Sequence, residues 1–319
     1  EAWAYLMIVC GGLVGTIGYN TNAGILNGLG NSRTTLLFLS VAAVMNIGLD
    51  LALVLLAGWG VVGVAVGTVI SQTFSWLFGL VYINRRYPQI AIHPFCFRFD
   101  RVLFRQVMTI GLPAGLQMSL VSLGAMAVMS KVNSYGKAFS AAYNVGSRLD
   151  QMAFLAVQSL TNSVTAFVGQ NTGAKKPERV RRGVRAAAAM SAGWCLAMTA
   201  LLMTLAPQLV GAFSPETDVI RSGVSYLRCI MPFYVLFGTF YILNGAMRGA
   251  GDSVFPMVNV LLSLILVRVP VVYLLANRFG PGAMYYGIGI GWCVGFTLCV
   301  LYYLSGRWKR RGSLAEEEP

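Results

Sequence analysis

Nine apolar runs, each long enough to cross the hydrocarbon layer of a bilayer, govern what this chain can fold into: residues 3–28, 36–57, 60–84, 107–132, 138–168, 184–212, 219–246, 254–277 and 282–306. About 20 residues at about 1.5 Å each span the roughly 30 Å of acyl chains. Inside that layer no water satisfies backbone N–H and C=O groups, so a spanning segment is a helix or a strand of a closed barrel. Barrel strands alternate apolar and polar residues in segments about half as long, and that alternation is absent here. With 56% hydrophobic and only 11% charged residues, the chain carries more apolar surface than a soluble core of its size could hide. The expectation is an all-α integral membrane protein.

The net charge of +13 raises the possibility of a nucleic-acid partner, but the basic residues are divided among short loops instead of gathering on one soluble face. Seventeen of the 24 fall in one alternate set of loops: Arg33; Arg85, Arg86, Arg98, Arg101 and Arg105; Lys175, Lys176, Arg179, Arg181, Arg182 and Arg185; Arg248; and Arg307, Lys309, Arg310 and Arg311. The positive-inside rule makes that set, and the C-terminus, cytoplasmic. The segment 87–106 mixes basic and apolar residues as an interfacial cytoplasmic linker does, and the tail 309–319 ends in a solvating run of glutamates. The six cysteines form no C-x-x-C pair and the single histidine, His93, sits in the linker, so neither a metal site nor a cofactor is expected.

The chain repeats itself. ILNGLGNSRTTLL (25–37) aligns with AMRGAGDSVFPMV (246–258), matching Gly28 with Gly249, Gly30 with Gly251 and Ser32 with Ser253. Further on, Gly63-x-x-x-Gly67 matches Gly287-x-x-x-Gly291, a spacing that lets helix backbones approach closely. Spans one to three are therefore the counterpart of spans seven to nine, and spans four to six call for three partners upstream of residue 1. The expectation is a truncated twelve-helix protein showing helices 4–12. Residues 1–86 form the second half of an N-terminal lobe, 87–106 the linker, and 107–308 a six-helix C-terminal lobe. Parallel repeats of this kind generally hold substrate where the halves meet and rock between two accessible states, so transport is the expected function.

The stretches YNTNAGILNGLGNSRT (19–34), AAYNVGSRLDQMAF (141–154), VGQNTGAKKPERVR (168–181) and NGAMRGAGDSVFPM (244–257) resemble the multidrug and toxic compound extrusion family, MATE, over residues 4 to 306. The resemblance implies a monomeric, multi-pass protein of a cell membrane, bacterial by expectation. It implies export of amphipathic, often cationic compounds, driven by a proton or sodium entering from outside. One branch of the family builds an N-lobe cation site from a first-helix aspartate, an Asn-x-x-x-Asp, a threonine and an asparagine. Asn46-x-x-x-Asp50 matches the pair, Thr68 the threonine and Asn20 the asparagine; the first aspartate would lie upstream. A second branch uses C-lobe carboxylates at positions that here fall near Val121 and Phe237.

Spacing supports this cluster on its own. Asn46 and Asp50 share one helix face. Asp50 and Thr68 each lie nine residues from Trp59 in the tight turn between spans two and three, hence at equal depth, roughly 13 Å from that turn. Asn20 and Asn46 are nearly equidistant from Ser32. A charged carboxylate at the middle of a membrane helix costs about 2.5 to 3.5 kcal/mol on insertion scales, and such residues mark ion or proton paths. Asp50 could carry a proton, or it could join amide and hydroxyl oxygens in holding sodium.

In span five, Arg148 and Asp150 read as a compensating pair beside Tyr143, Asn144 and Gln151. Arg228 fits helix-end snorkelling, whereas Arg268 lies deeper and needs an acceptor or a cavity. Gln117, Met118, Met126, Gln158, Asn162, Tyr234, Phe237, Tyr241 and Asn244 are candidates for a drug cavity, because methionines and aromatics repack around amphipathic cations. Pro113, Pro207, Pro232 and Pro270 interrupt helix hydrogen bonding and could hinge. Two rivals remain: a lipid-linked oligosaccharide flippase, which calls for a grouped cationic cavity, and a non-transporting scaffold, which needs no Asn-x-x-x-Asp. An intramembrane enzyme is not expected, since neither H-E-x-x-H nor G-x-S-x-G occurs.

Overall fold

The computed structural model describes residues 2–92 and 99–308, and every described regular element is a helix of some kind. His93 and the tail 309–319 lie outside the described residues. Eight helical segments are long and apolar enough to cross a membrane. A ninth is the pair α1 (Ala2–Gly11) and α2 (Leu13–Gly28), bent by 50°. The bend falls at Gly12, where any Cβ would run into the Val69 side chain.

The chain divides into two compact units, Glu1–Phe99 and Asp100–Pro319. In the first, α4 (Gly60–Arg86) is the common partner of α1, α2 and α3 (Ser32–Leu51). Leu26, Phe38 and Ile83 form its small buried core, with Phe38 edge-on to Phe78 and Tyr82 at 5.4 Å each. After α3 the chain continues as a π-helix, Ala52–Leu56, before turning into α4.

The second unit holds α5 (Arg101–Asn133), α6 (Lys137–Gly173), α7 (Pro177–Thr204), α8 (Ala206–Gly211), α9 (Thr217–Ile230), α10 (Tyr234–Gly249), α11 (Val254–Val260), α12 (Arg268–Phe279) and α13 (Met284–Leu304). Its core centres on α10, packed against α6, α7 and α13. A second π-helix, Leu261–Val267, joins α11 to α12.

Hydropathy located the apolar part of each span, not the whole helix. Helix α5 starts at Arg101, six residues before the apolar run, because Asp100 caps it by accepting from the Val102 and Leu103 N–H groups at 2.8 and 3.1 Å. Helix α7 likewise starts at Pro177, a residue suited to a first turn. The four prolines behave differently. Pro113 sits within an unbroken α5, Pro207 opens α8 after a break at Leu205, and Pro232 lies in a 3-10 turn between α9 and α10. Pro270 falls in the first turn of α12, directly after the π segment.

The repeat is visible in the backbone. Both copies end their first helix with the same pair of bonds: Gly30 N–H to Asn27 at 3.0 Å and Asn31 N–H to Leu26 at 2.8 Å in one, Gly251 N–H to Arg248 at 3.0 Å and Asp252 N–H to Met247 at 2.9 Å in the other. This closure needs a left-handed residue, and Gly30 (φ +79°) and Gly251 (φ +96°) supply it. The next residue caps the following helix in both copies. Asn31 Oδ1 accepts from Thr34 N–H at 3.3 Å, and Asp252 Oδ1 from Phe255 N–H at 3.2 Å. Each cap is then tied to a tyrosine: Asn31 donates to Tyr87 Oη at 3.1 Å, and Tyr302 Oη donates to Asp252 Oδ2 at 2.5 Å.

The matched glycines are helix contacts. A Cβ on Gly63 would stand 3.0 Å from Leu53 Cβ, and one on Gly287 2.9 Å from the Val272 backbone nitrogen. Backbone cannot swing aside as a flexible side chain can. Gly287→Ala in the full-length protein is therefore expected to lose about 1 to 3 kcal/mol through overpacking. Thermal unfolding in detergent checks this, and an unchanged midpoint would contradict the contact.

Candidate functional site

Asn46, Asp50 and Thr68 meet between α3 and α4. The amide of Asn46 donates to Asp50 Oδ1 at 3.2 Å and reaches Thr68 Oγ1 at 3.5 Å. Thr68 donates its own hydroxyl proton to Val64 O at 2.9 Å, which leaves its lone pairs facing Asn46. Ser71, buried one turn along, donates to Thr68 O at 3.0 Å. Among the described residues no basic side chain forms an ion pair with Asp50. Among the described residues its hydrogen-bond donor is the neutral Asn46 amide.

Two features place that carboxylate. One is helix periodicity, which stacks Asn46 over Asp50 across a single turn. The other is Gly67: a Cβ there would collide with Asp50 Oδ1, so the missing side chain makes the room the carboxylate occupies. The small-residue motif thus does more than bring two backbones together. Beside the trio lies a cavity of about 140 Å³ lined by Tyr19, Leu39, Ala42, Ala43, Asn46, Thr68, Ser71 and Gln72. Its volume suits a few waters, at about 30 Å³ each.

Asn20 does not join them. It is exposed and donates to Thr16 O of its own helix at 2.9 Å. Equal distance from the Ser32 turn says nothing of direction, since each residue along a helix turns by about 100°. The α2 residue that borders the cavity is its neighbour Tyr19, and Thr16 bonds to Gln72 across the α2–α4 contact. Gln72 carries no motif that would have singled it out, and Tyr19 opens the 19–34 stretch without being marked there as a site residue.

The nine candidate drug-cavity residues separate into different environments. Met118 and Met126 on α5 are 73% and 68% exposed, whereas Gln117 is buried with its Oε1 unpartnered. Gln158 and Asn162 pair on α6 at 3.4 Å. Phe237 and Tyr241 belong to a packed aromatic cluster with Phe154 and Trp292, at centroid separations of 4.4 to 5.1 Å, and Tyr234 stands 5.3 Å from Phe237. Asn244 is buried and donates to Phe240 O at 2.9 Å. Residue type alone does not distinguish a side chain in a lobe's core from one that faces outward.

Arg148 and Asp150 do not compensate one another. Two residues apart on a helix, they point to nearly opposite sides: Arg148 is exposed, whereas Asp150 turns inward with Oδ1 buried. Arg228, exposed near the end of α9, is free to snorkel.

Comparison with known proteins gives a consistent picture. The MatE family model matches residues 113–274. The probable multidrug resistance protein YpnP of Bacillus subtilis is 31% identical, covering 97% of this chain and 69% of its own length. The multidrug export protein MepA of Staphylococcus aureus is 23% identical over 82% of this chain and 58% of its own length. A solved structure described as the outward-facing conformation of a multidrug resistance MATE family transporter superposes with a TM-score of 0.87 at 22% identity. It covers 97% of this chain and 70% of that one. Among eight curated relatives, the chain spans 56% to 69% of the relative's length.

Proposed function

Because this chain belongs to the MATE family of multi-pass membrane transporters, we propose that it serves in the export of amphipathic, often cationic small molecules, driven by protons or sodium ions bound at Asp50. The observation that carries this reading is the carboxylate itself. Asp50 sits within an apolar helix, has no cationic partner among the described residues, and accepts from the Asn46 amide, which also reaches the Thr68 hydroxyl and lines a small cavity with it. A group so placed has a stable neutral form only when a proton or a small cation is with it. Filling and emptying the site then changes the charge between α3 and α4, which is the differential needed to bias two conformations. The multidrug names of the relatives support the substrate class.

The flippase alternative calls for grouped cations, and the three intramembrane arginines do not supply them. Arg148 and Arg228 are exposed on α6 and α9, while Arg268 packs inside the second unit at the start of α12. The reading is tested with the full-length protein in vesicles, following a fluorescent organic cation while proton and sodium gradients are imposed separately. Accumulation driven by one gradient is the expected result. Movement insensitive to both gradients would overturn ion coupling, and absence of movement in a folded sample would overturn export.

A further inference from the structure

The second unit contains two partly buried, oppositely charged residues that do not form an ion pair. Asp150 on α6 and Arg268 at the start of α12 each keep a buried polar atom, Oδ1 and Nε, without a hydrogen-bond partner, and no ion pair within 4.0 Å joins them. They nonetheless occupy one electrostatic neighbourhood. Arg268 acts on Asp150 and on Tyr143, Tyr226 and Tyr241.

The geometry around them is specific. Tyr234 Oη donates to the Asp150 backbone carbonyl at 3.0 Å, fixing that point of α6 to α10. Tyr226 lies edge-on to Tyr143 at 5.4 Å and to Tyr285 at 5.1 Å, closing the neighbourhood from α9 and α13. Arg268 rests on α13, where a Cβ on Gly291 would come within 2.9 Å of Arg268 Cβ. The ionisable groups facing Asp150 are thus Tyr143 from α6, Tyr226 from α9, Tyr234 and Tyr241 from α10, and Arg268 from α12. Cys195 of α7 and Tyr285 of α13 stand behind Tyr234 and Tyr226.

The internal repeat adds an independent observation. Gly67 and Gly291 are equivalent glycines; the first makes room for Asp50, the second for Arg268. In the C-terminal copy the space holds the aliphatic stem of Arg268, in the N-terminal copy the Asp50 carboxylate itself. A π-helix adjoins the charged residue in both, ending at Val267 just before Arg268 and beginning at Ala52 just after Asp50. Such segments recur at functional sites and allow hydrogen bonding to shift register. Pro270 adds to this compliance, because it has no N–H to bind the carbonyl four residues earlier.

We infer that Asp150 is a second proton-binding site of this chain, with Arg268 as the counter-charge that engages it when the proton leaves. A buried carboxylate with an unpartnered oxygen is costly, whereas a protonated carboxyl is not. Neutral is the form this inference assigns to the carboxyl in the present arrangement, where no ion pair to Arg268 within 4.0 Å is formed. The proton arrives from hydronium, forming the carboxyl O–H and leaving water, and departs to water by the reverse step. Once ionised, Asp150 draws the guanidinium toward it. Tyr234 anchors α6, so the movement falls on α12 through the π segment. The inference does not depend on Asp50 being the coupling site.

Infrared difference spectra of the full-length protein between acid and neutral pH test it, with all aspartates carrying ¹³C at the carboxyl. An isotope-shifted protonated-carboxyl band is expected in the wild type and in Asp50→Asn, and its Asp150 component is lost in Asp150→Asn. Should that variant fail to fold, Asp150→Glu carries the test: the labelled component disappears and an unlabelled one replaces it. Difference spectra of Asp150→Asn or Asp150→Glu that coincide with the wild type would overturn the proposal. Loss of a component in Asp50→Asn with none lost at position 150 would do the same and leave the Asp50 reading intact.

Discussion

Asp50→Asn in the full-length protein is expected to reduce ion-driven accumulation of an organic cation to the level of empty vesicles while leaving the protein folded. Asparagine keeps the shape of the side chain and an oxygen to accept from Asn46, whose amide stands 3.2 Å from Asp50 Oδ1. What it cannot do is gain and lose a charge. Stability should be unchanged or higher, since an ionised carboxylate in a membrane helix costs about 2.5 to 3.5 kcal/mol and the amide does not carry that cost. Thermal unfolding and substrate binding at equilibrium are therefore preserved. Gradient-driven transport at the wild-type rate with the same ion dependence would show that Asp50 is structural.

Gly67→Ala is expected to weaken the apparent affinity for the driving ion at least about tenfold, corresponding to about 1.4 kcal/mol. The added methyl group occupies the space in which Asp50 Oδ1 lies, and its next neighbours, Leu49 Cβ and Asp50 N, are at 3.4 and 3.5 Å. The fold can accept it because a carboxylate swings aside more readily than backbone. The site cannot, because the displaced oxygen leaves Asn46. Gly63→Ala, one turn away, serves as the control: it presses on Leu53 Cβ at 3.0 Å and the Leu53 carbonyl carbon at 3.2 Å, and should lower stability without altering ion affinity. Equal ion dependence in the wild type and Gly67→Ala would remove Gly67 from the site. Parallel changes in both variants would assign the effect to packing.

The apolar runs, the repeat and the Asn46–Asp50–Thr68 contact were legible in the sequence for one reason. Each depends on spacing along a helix, which a rise of about 1.5 Å and a turn of about 100° per residue convert into position. Where position also required azimuth across three helices, spacing was insufficient, so Asn20, which bonds within its own helix, was put with the trio and Tyr19 was passed over. The role of Gly67 was half visible: G-x-x-x-G signals close approach, but what fills the space opposite is decided by the partner helix. Asp150 was assigned to Arg148 by proximity along the chain, although neighbours two apart diverge on a helix. Arg268, the counter-charge inferred for it, is more than a hundred residues away. The two π-helices left no sign at all, since their residues, ALVLL and LLSLILV, are what any membrane helix contains.

The twin turns at Gly30 and Gly251 behave as fixed elbows. In each, the incoming helix is closed by two backbone bonds, the outgoing helix is capped by the very next side chain, and a tyrosine clamps that side chain in place. A joint closed and capped in this way resists serving as the pivot of a large movement. Flexion must instead be taken up along the shafts of the helices, at the kink beside Gly12 and at the two widened coils next to Asp50 and Arg268. Motion is thereby delivered to the depth at which the ionisable groups lie, while the connections at the ends of the helices hold still.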